Sequence, residues 1–495
     1  MTEKGYTAAE AASKDTMKAE LKITTYTPNE IAKIVGGSIV EPGGKPSDCV
    51  TNICTDSREV KKGSHFVAIR GERVDGHDYM SAAVDAGAVC FLAERVPENL
   101  TGKSCAVVLV DDPIRALGEL AADYRSKSAV KVIAITGSVG KTTTKEFIAA
   151  VAAAGYQTHK TEGNHNNDLG LAMTLFTLER GDKISVLEMG MSNLGEIERL
   201  SSIAKPDIAV VTNIGTSHLA SLGTRENICR AKMEITAGMK ADGILLLNAD
   251  EPLLAERART VTPAPLFMSI GNSLGDYRAV NIRTLEDGMV FDLICRDHAV
   301  TNVKIPTLGK HNVYNALVAY AIGTLLDLPE ETIRLGLMGF RGAAMRQKIY
   351  EMGLFTVIED CYNASPESMR AALDVLAAVA SQKNAKSAAL LGDMLELGDY
   401  ARLMHDQLGQ YAAQTKVDLL FCYGMMADVV AEAAIKHGIR ADNVYVSLDT
   451  REPEVMAKMI LGAIEPGSVL LVKASRAVAA ERVLECMKNR RRKKV

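Results

Sequence analysis

One short segment limits the possible folds of this chain more than any other. An apolar, β-branched run from Val130 to Thr136 breaks at a glycine, and helix-compatible sequence follows from Thr142 to Ala154. Glycines after a strand let backbone N–H groups turn toward a polyphosphate, and the helix N-terminus adds a partial positive charge. Lys141 adds a full charge, and the Thr142 hydroxyl is suited to Mg²⁺. The turn reads Thr136-Gly137-Ser138-Val139-Gly140-Lys141-Thr142-Thr143.

The pattern departs from the usual phosphate loop at one position. Ile135 stands where the eight-residue pattern has Gly or Ala, so a glycine turn without a ligand is the alternative. The order of strand, Gly-Lys-Thr-Thr and helix nevertheless predicts an ATP site. A phosphate loop alone does not identify the reaction, because kinases, motors and ligases all use one.

Length and composition narrow the class of protein. At 495 residues the chain is too long for one compact core, which predicts roughly three domains. A net charge of −4 gives no reason to expect nucleic acid or an anionic membrane as partner. No stretch approaches the roughly 18 apolar residues of a membrane span. The scattered cysteines include no CxxC pair, which is typical of free thiols in a reducing compartment. We expect a cytoplasmic monomer.

Strands and helices alternate in a way that predicts an α/β fold with three domains. A polar N-terminal extension covers residues 1–21, and short apolar runs with turn signals define a small α/β domain at 22–126. In the central domain, 127–344, continuous apolar strands separated by helices predict a mostly parallel sheet of the P-loop ATPase type. Evenly spaced apolar runs at 345–495 predict a Rossmann-like third domain.

The predicted strands are short apolar runs bounded by turn residues. They are Phe66 to Ile69, Ala88 to Leu92, Ala106 to Val110, Val130 to Thr136, Ile184 to Met189, Ile208 to Val211, Ile244 to Asn248, Phe355 to Glu359, Ser387 to Leu391, Val417 to Phe421, Val444 to Ser447 and Val469 to Val472. In the first domain, His77 to Ala86 has a helical pattern.

Two further residues, Glu188 and His218, are candidates for the metal and the chemistry. Glu188 ends a buried strand, and carboxylates there emerge at the edge where open α/β sheets bind ligands. Its oxygens suit Mg²⁺, although a capping or ion-pairing role is the alternative. His218 lies just beyond the end of the next strand, where a surface or core role is the alternative. Lys232, considered alone, is a helix-surface lysine.

With these motifs in order, over about residues 50–476, the chain resembles the Mur ligase family. The resemblance implies that ATP is used with two Mg²⁺ ions, held by Thr142, Glu188, His218 and Lys232. It also implies that Lys141, Glu188, His218 and Lys232 form the catalytic set and that Lys232 is carbamylated. A carbamate is physically reasonable because a neutral amine takes up CO₂, whereas two cations beside Mg²⁺ repel each other.

The same resemblance assigns the nucleotide contacts outside the phosphate loop. Gly309 to Ala316 resembles the adenine-side motif of the family, with Asn312 and Asn315 as the contacts. An Asn side chain can read an adenine edge through its paired donor and acceptor, although a polar role at a helix N-terminus is the alternative. Arg346 and Asp360 complete this set, because a guanidinium at the start of the third domain can meet the nucleotide phosphates.

Other motifs resemble one branch of the family. Thr55 to Val60 and Phe66 to His77 are similar to its uridine-nucleotide domain, and Asp360-Cys361-Tyr362-Asn363-Ala364 and Gly392 to Gly398 match the fourth-step enzymes. The Asp-Asn-Pro-Arg signature of the third-step enzymes is absent. The implied substrates are UDP-N-acetylmuramoyl-tripeptide and D-alanyl-D-alanine. The implied substrate contacts are Ser57, Arg58, Asn164, Asn167, Tyr362, Asn363, Lys473, Ser475 and Arg476.

Two positions depart from that branch. Ala172 replaces a proline after the Gly163 to Asn167 loop, and Ala474 replaces the glycine of a Lys-Gly-Ser-Arg motif. If that glycine served a positive φ or a close backbone approach, Ala474 would strain the loop.

The resemblance implies a two-step reaction. The tripeptide carboxylate attacks the γ-phosphate of ATP to give an acyl phosphate and ADP, and the dipeptide amine then displaces phosphate. The alternatives are a third-step muramoyl-dipeptide ligase, a folylpolyglutamate synthetase-like ligase and an ATP-binding regulator without turnover. The first-domain motifs argue against a folate enzyme, and the retained Lys141, Glu188, His218 and Lys232 argue against a regulator.

Overall fold

A computed structural model describes residues 17–44, 49–71, 74–262, 264–271, 274–295 and 298–492. These residues form three sheets, most of whose strands are parallel. This arrangement confirms the predicted three-domain α/β fold. The boundaries at 21, 126 and 344 stay predictions.

The first sheet is parallel at its centre and has an antiparallel strand at each edge. Its strand order is β1-β3-β4-β5-β6-β2. The elements are Lys18–Glu20 (β1), Pro28–Val35 (α1), Ser38–Val40 (β2), Asn52–Cys54 (β3), Ser64–Val67 (β4), Met80–Asp85 (α2), Ala88–Ala93 (β5), Ala106–Leu109 (β6) and Pro113–Ser126 (α3).

The structure describes only the end of the predicted N-terminal extension. The extension predicted over residues 1–21 overlaps β1, in which Ala19 is buried and pairs with Ile53. The last part of that segment therefore belongs to the first sheet, because a strand with one buried apolar residue between charged ones gives almost no hydropathy signal. Residues 1–16 of the extension lie outside the described residues.

The central sheet continues from a parallel part into an antiparallel one. Its order is β15-β14-β13-β12-β11-β10-β7-β9-β8. The elements are Lys131–Thr136 (β7), Lys141–Ala153 (α4), Thr158–Lys160 (β8), Asp168–Phe176 (α5), Ile184–Glu188 (β9), Glu196–Ala204 (α6), Ile208–Val211 (β10), Leu219–Leu222 (α7), Arg225–Met233 (α8), Ile244–Asn248 (β11), Pro252–Arg257 (α9), Leu266–Ser269 (β12), Tyr277–Thr284 (β13), Met289–Cys295 (β14), His298–Ile305 (β15), Lys310–Leu325 (α10) and Glu330–Met338 (α11).

The strands β12 to β15 were not predicted from the sequence. In β13 and β15 many residues are polar and exposed, so neither strand presents the continuous apolar run of a strand covered on both faces. An antiparallel extension with one solvated face is weakly marked in sequence, whereas β7, β9, β10 and β11 are almost wholly buried and mostly apolar.

The third sheet is parallel except for its first strand, and its order is β16-β17-β21-β18-β19-β20. The elements are Lys348–Met352 (β16), Phe355–Glu359 (β17), Pro366–Lys383 (α12), Ser387–Gly392 (β18), Ala401–Gln414 (α13), Leu419–Tyr423 (β19), Ala427–Lys436 (α14), Val444–Ser447 (β20), Pro453–Ala463 (α15), Val469–Lys473 (β21) and Glu481–Arg492 (α16).

The three domains share hydrophobic cores. One face of the central sheet forms a buried cluster with α12 and α13 of the third domain, and the other face forms a cluster with α1 and α3 of the first. At the second of these contacts Arg180 Nη2 of the central domain donates to the Ile23 carbonyl of the first domain at 3.1 Å. Among the described residues, no helix is long and apolar enough to cross a membrane.

A buried histidine in the first domain predicts a loss of stability in acid. His65 on β4 is fully buried, and burial lowers its pKa to about 4. Unfolding exposes the ring, whose pKa then returns to about 6.5. The unfolded state therefore binds the extra proton first, and up to about 3 kcal/mol of stability is lost as the pH falls from about 6.5 to 4.

We expect the thermal midpoint to fall between pH 7.5 and pH 5.0, and to fall less in His65→Leu. His298→Gln, at an exposed histidine, is the control and should behave as the wild type. An equal fall in His65→Leu and wild type would contradict this assignment.

Candidate functional site

The phosphate loop joins β7 to α4 with its two glycines in conformations that other residues rarely adopt. Gly137 has φ 148° and Gly140 has φ 84°. A Cβ on Gly137 would lie 1.9 Å from Thr212 Oγ1, so space as well as φ requires glycine there. Lys141 opens α4, and its Nζ donates to the Gly137 carbonyl at 2.8 Å, so the charge lies over the loop.

The end of β10 anchors this loop. Val139 N–H donates to Asn213 Oδ1 at 3.0 Å, and Ser138 N–H donates to the Asn213 carbonyl at 3.1 Å. The hydroxyl of Thr212 donates to the Val139 carbonyl at 2.7 Å. Sequence reasoning gave Asn213 no role, although its position directly after a predicted strand was the available signal.

Strand register brings the predicted metal residues to the same edge of the central sheet. Ile135 on β7 pairs with Glu188 on β9. The start of the phosphate loop and the Glu188 carboxylate therefore lie side by side at the same end of the two strands. The Thr142 hydroxyl donates to Glu188 Oε2 at 2.8 Å, and Asn166 Nδ2 donates to Oε1 at 2.9 Å. Asn166 was also missed, whereas its neighbours Asn164 and Asn167 were named.

The buried Lys232 and the half-buried Lys141 lie close enough for their charges to interact. Burial lowers the pKa of Lys232 on α8 far below its ordinary value, and repulsion from Lys141 lowers it further. Burial also lowers the pKa of Lys141, opposed by the attraction of Glu188. The Lys232 side chain is 1% exposed. Burial and the neighbouring Lys141 charge therefore both disfavour the charged form of Lys232.

His218 lies at the boundary between the central and third domains. It has φ 65°, and its Nδ1 lies 3.0 Å from Glu396 Oε2 in the loop after β18. The hydrogen bond from His218 lowers the pKa of Glu396. His218 therefore contacts a third-domain carboxylate rather than Glu188.

The donor set fits Mg²⁺. Thr142 and Glu188 supply a hydroxyl and a carboxylate, and Mg²⁺ is commonly held by one or two carboxylates with water and substrate phosphates. Within the described part of the chain, no cluster of three or more His, Cys, Asp and Glu side chains could hold a metal alone. The metal roles of His218 and Lys232 stay predictions.

A cleft of about 1440 Å³ separates the central domain from the third and contains the phosphate loop. Asn312 and Asn315 of α10 line it. Their amides mainly contact protein: Asn312 Nδ2 donates to Leu308 O at 2.8 Å, and Asn315 Nδ2 donates to Asn312 Oδ1 at 3.1 Å. Asn312 Nδ2 also donates to Gln347 Oε1 at 3.0 Å, and this bond links the two domains. The sequence did not predict a role for Gln347.

The third-domain wall of the cleft contains most of the predicted residues of that domain. Arg346 lies over the Tyr362 ring, 4.3 Å from its centroid. Buried Lys473 donates to Asp360 Oδ2 at 2.7 Å and to the Asn363 carbonyl at 3.1 Å, which fixes the loop after β17. The residues of this group that line the cleft are Arg346, Asp360, Asn363 and Lys473.

Ser475 and Arg476 are mainly engaged with their own domain. The buried Ser475 hydroxyl accepts from Leu395 N–H at 3.0 Å, which supports the loop that carries Glu396. Arg476 Nη1 donates to Glu481 Oε1 at 2.7 Å. Neither residue lines the cleft.

The remaining predicted substrate residues lie away from the cleft. Arg58 is 83% exposed and pairs with Asp56 beside Ser57, within the 3₁₀ turn Ser57–Glu59. Asn164 is exposed, and Asn167 caps α5 by accepting from Gly170 N–H at 2.8 Å. Their substrate roles stay predictions.

The strain considered for Ala474 does not occur in the structure. Ala474 is fully buried and is not among the residues with positive φ. The close approach falls on its neighbour instead, because a Cβ on Gly392 would lie 2.6 Å from Ala474 Cβ. The two positions thus share the space of one methyl group.

We therefore expect Gly392→Ala to destabilise the third domain by about 1–3 kcal/mol through overpacking. Ala474→Gly should be milder, and the double variant Gly392→Ala/Ala474→Gly should recover most of the loss because it moves the methyl across the contact. Urea unfolding measures all three. A double variant as unstable as the sum of the single variants would exclude this shared packing.

Comparisons with known proteins agree over nearly the whole chain. The descriptions "Mur ligase family, catalytic domain", "Mur ligase middle domain" and "Mur ligase, glutamate ligase domain" match residues 49–125, 135–323 and 345–476. The UDP-N-acetylmuramoyl-tripeptide--D-alanyl-D-alanine ligase of Bacillus subtilis is 38% identical over 463 residues, 93% of this chain and 97% of that protein.

Solved structures agree as well. The crystal structure of MurF from Acinetobacter baumannii is similar with TM-score 0.84 and 31% identity, covering 94% of this chain and 99% of that one. The MurF ligase of Thermotoga maritima in complex with ADP is similar with TM-score 0.78 and 29% identity, covering 90% of this chain and 98% of that one.

Proposed function

Since this chain belongs to the Mur ligase family, we propose that it joins D-alanyl-D-alanine to UDP-N-acetylmuramoyl-tripeptide in an ATP-dependent reaction of peptidoglycan precursor synthesis. The products are the UDP-linked pentapeptide, ADP and phosphate. The observation that carries the proposal is the phosphate loop at the same sheet edge as Glu188, in a chain 38% identical to a ligase of that name.

The chain's own residues account for binding and activation of the phosphates. The tripeptide carboxylate attacks the γ-phosphate, and an acyl phosphate forms as ADP leaves. Backbone N–H groups at the start of α4 and the Lys141 ammonium stabilise the negative charge that develops on the transferred group, since positioning and electrostatics dominate phosphoryl transfer. Bound Mg²⁺, held by Thr142 and Glu188, would neutralise phosphate charge. Asn166 orients the Glu188 carboxylate.

The second step needs a dry site, because an acyl phosphate hydrolyses readily. The dipeptide amine attacks the acyl carbon, the C–O bond to phosphate breaks, and the amine loses a proton. The cleft places the phosphate loop opposite Arg346, Asp360 and Lys473 of the third domain, so the second substrate is enclosed between domains.

Three finer statements belong to this proposal. Lys232 becomes a carbamate, and the support for this is the burial of its side chain and the lowered pKa of its amine. His218 and the Lys232 carbamate complete the sites of two Mg²⁺ ions. The enzyme is a cytoplasmic monomer, and its nine free cysteines fit a reducing compartment.

The test is phosphate release from ATP with Mg²⁺ and UDP-muramoyl tripeptide, with and without D-alanyl-D-alanine. Release that requires both substrates, with a pentapeptide product by mass spectrometry, is expected. Release that depends on a free amino acid and a muramoyl dipeptide would favour a third-step ligase, and dependence on folate would favour the folate enzyme. No release under any of these conditions would indicate a regulator.

A further inference from the structure

Helix α12 lines the cleft, and side chains at both of its ends donate to or accept from the central domain. It has 18 residues, a length of roughly 27 Å at 1.5 Å per residue. At its N-terminus Glu367 reaches the loop after β10, and near its C-terminus Gln382 Nε2 donates to the Leu285 carbonyl at 3.2 Å. The contacts of Glu367 and Gln382 with the central domain therefore help to set the orientation of the third domain.

The contact at Glu367 is the better defined of the two. Its Oε1 accepts from both the N–H and the hydroxyl of Thr216, each at 3.0 Å. Glu367 lies in the first turn of α12, whose N-cap is Ser365, and a carboxylate there is favoured by the helix dipole. The other oxygen, Oε2, is buried and has no hydrogen-bond partner among the described residues.

The central-domain loop is shaped to receive this carboxylate. A Cβ on Gly215 would lie 3.0–3.1 Å from the Glu367 carboxyl atoms. The absence of a side chain at Gly215 therefore lets the loop backbone lie close to this carboxylate. The same loop begins at Asn213, whose side chain holds Val139 of the phosphate loop. Glu367 is thus connected to the phosphate loop through one short segment of backbone.

We propose that Glu367 is a positioning residue for the ligation reaction, and that its contact with Thr216 is an interdomain clasp that sets the third domain against the phosphate loop. Oε1 of Glu367 accepts two hydrogen bonds, whereas Oε2 is desolvated without a partner. The cost of the unpartnered oxygen offsets part of the energy gained at the other, so the clasp is weak enough to open. The role in turnover rests on the proposed function; the clasp itself does not.

The experiment uses the full-length protein with Glu367→Ala, Glu367→Gln, Thr216→Val and the double variant Glu367→Ala/Thr216→Val. Glu432→Gln, an exposed carboxylate on α14 of the same domain, is the matched control. The measurements are kcat, KM for the dipeptide, the Kd of ADP, the thermal midpoint, and the radius of gyration of the ligand-free protein by small-angle X-ray scattering.

We expect Glu367→Ala and Thr216→Val each to lower kcat about 10-fold and to increase the radius of gyration, with the Kd of ADP unchanged. The double variant should be no worse than either single variant, because both remove the same contact. Glu367→Gln should recover most of the activity, since its amide oxygen still accepts from Thr216. Gly215→Ala, which crowds the carboxylate, should resemble Glu367→Ala.

Independent, multiplying effects in the double variant, or an unchanged radius of gyration in all variants, would overturn the clasp. If a variant fails to fold, its thermal midpoint reveals this, and Glu367→Gln with Gly215→Ala still tests the contact. If the wild type itself does not turn over, the proposed function fails, while scattering still decides whether the clasp exists.

Discussion

Replacing Lys141 with methionine is expected to lower kcat for ligation on the order of 10³-fold while the fold is retained. Lys141 is the full positive charge over the phosphate loop, with its Nζ 2.8 Å from the Gly137 carbonyl. Removing one such preorganised group typically costs 10²- to 10³-fold in kcat, at about 1.4 kcal/mol per factor of ten. Phosphate release and pentapeptide formation under saturating substrates measure the effect.

The matched control is Lys131→Met, at the exposed first residue of β7, the strand that leads into the same loop. It should retain wild-type turnover. Lys141→Met within a few-fold of wild type would contradict the placement of the transferred phosphate over this loop. A loss accompanied by a lower thermal midpoint would point instead to damage of the fold.

Replacing Lys232 is expected to have the second-largest effect, a loss of at least about 100-fold, because the carboxylate it would carry as a carbamate disappears. Lys232→Met keeps the apolar stem, and Lys232→Arg keeps a cation that cannot be carbamylated. Both variants should lose activity to a similar degree. If Lys232 acted only through its positive charge, Lys232→Arg would instead retain part of the activity.

A direct measurement accompanies these variants. The amine attacks CO₂ and loses one proton, so wild-type turnover should depend on dissolved bicarbonate, and ¹³C-bicarbonate should give a carbamate signal in NMR. Burial lowers the pKa of Lys232, so the neutral amine persists to lower pH than in an exposed lysine. Carbamylation should therefore extend to lower pH, and Lys232→Arg should show neither signal nor dependence. A wild type without a signal, equally active without CO₂, would exclude the modification.

Much of the site could be predicted because its signals are local. The phosphate loop is one continuous segment with a strand before it and a helix after it, and Glu188 is marked by the end of an apolar strand. The antiparallel strands β13 to β15 lacked such a signal. Asn166 and Gln347 could not be assigned, because nothing in their immediate sequence indicates that they reach Glu188 and Asn312.

The environments of individual side chains were also not accessible from the sequence. The substrate role of Ser475, which its motif suggests, stays a prediction, but the sequence did not indicate that its hydroxyl accepts from Leu395 within the third domain. Ala474 was suspected of strain, but the steric conflict lies at Gly392, which is distant in sequence. A motif identifies residue types and order, and neighbours across the sheet then determine which group each residue contacts.

The amino-acid sequence alone determined the α/β class, the phosphate loop and the resemblance to a ligase family, because periodicity, glycine positions and short motifs act over a few residues. Only the tertiary structure decided which residues meet at the edge of the central sheet, that Lys232 is buried near Lys141, and that Glu367 contacts Thr216 across the cleft. Strand register and domain packing bring together groups far apart in the chain, and the pKa of a side chain depends on the burial and charges that this packing creates.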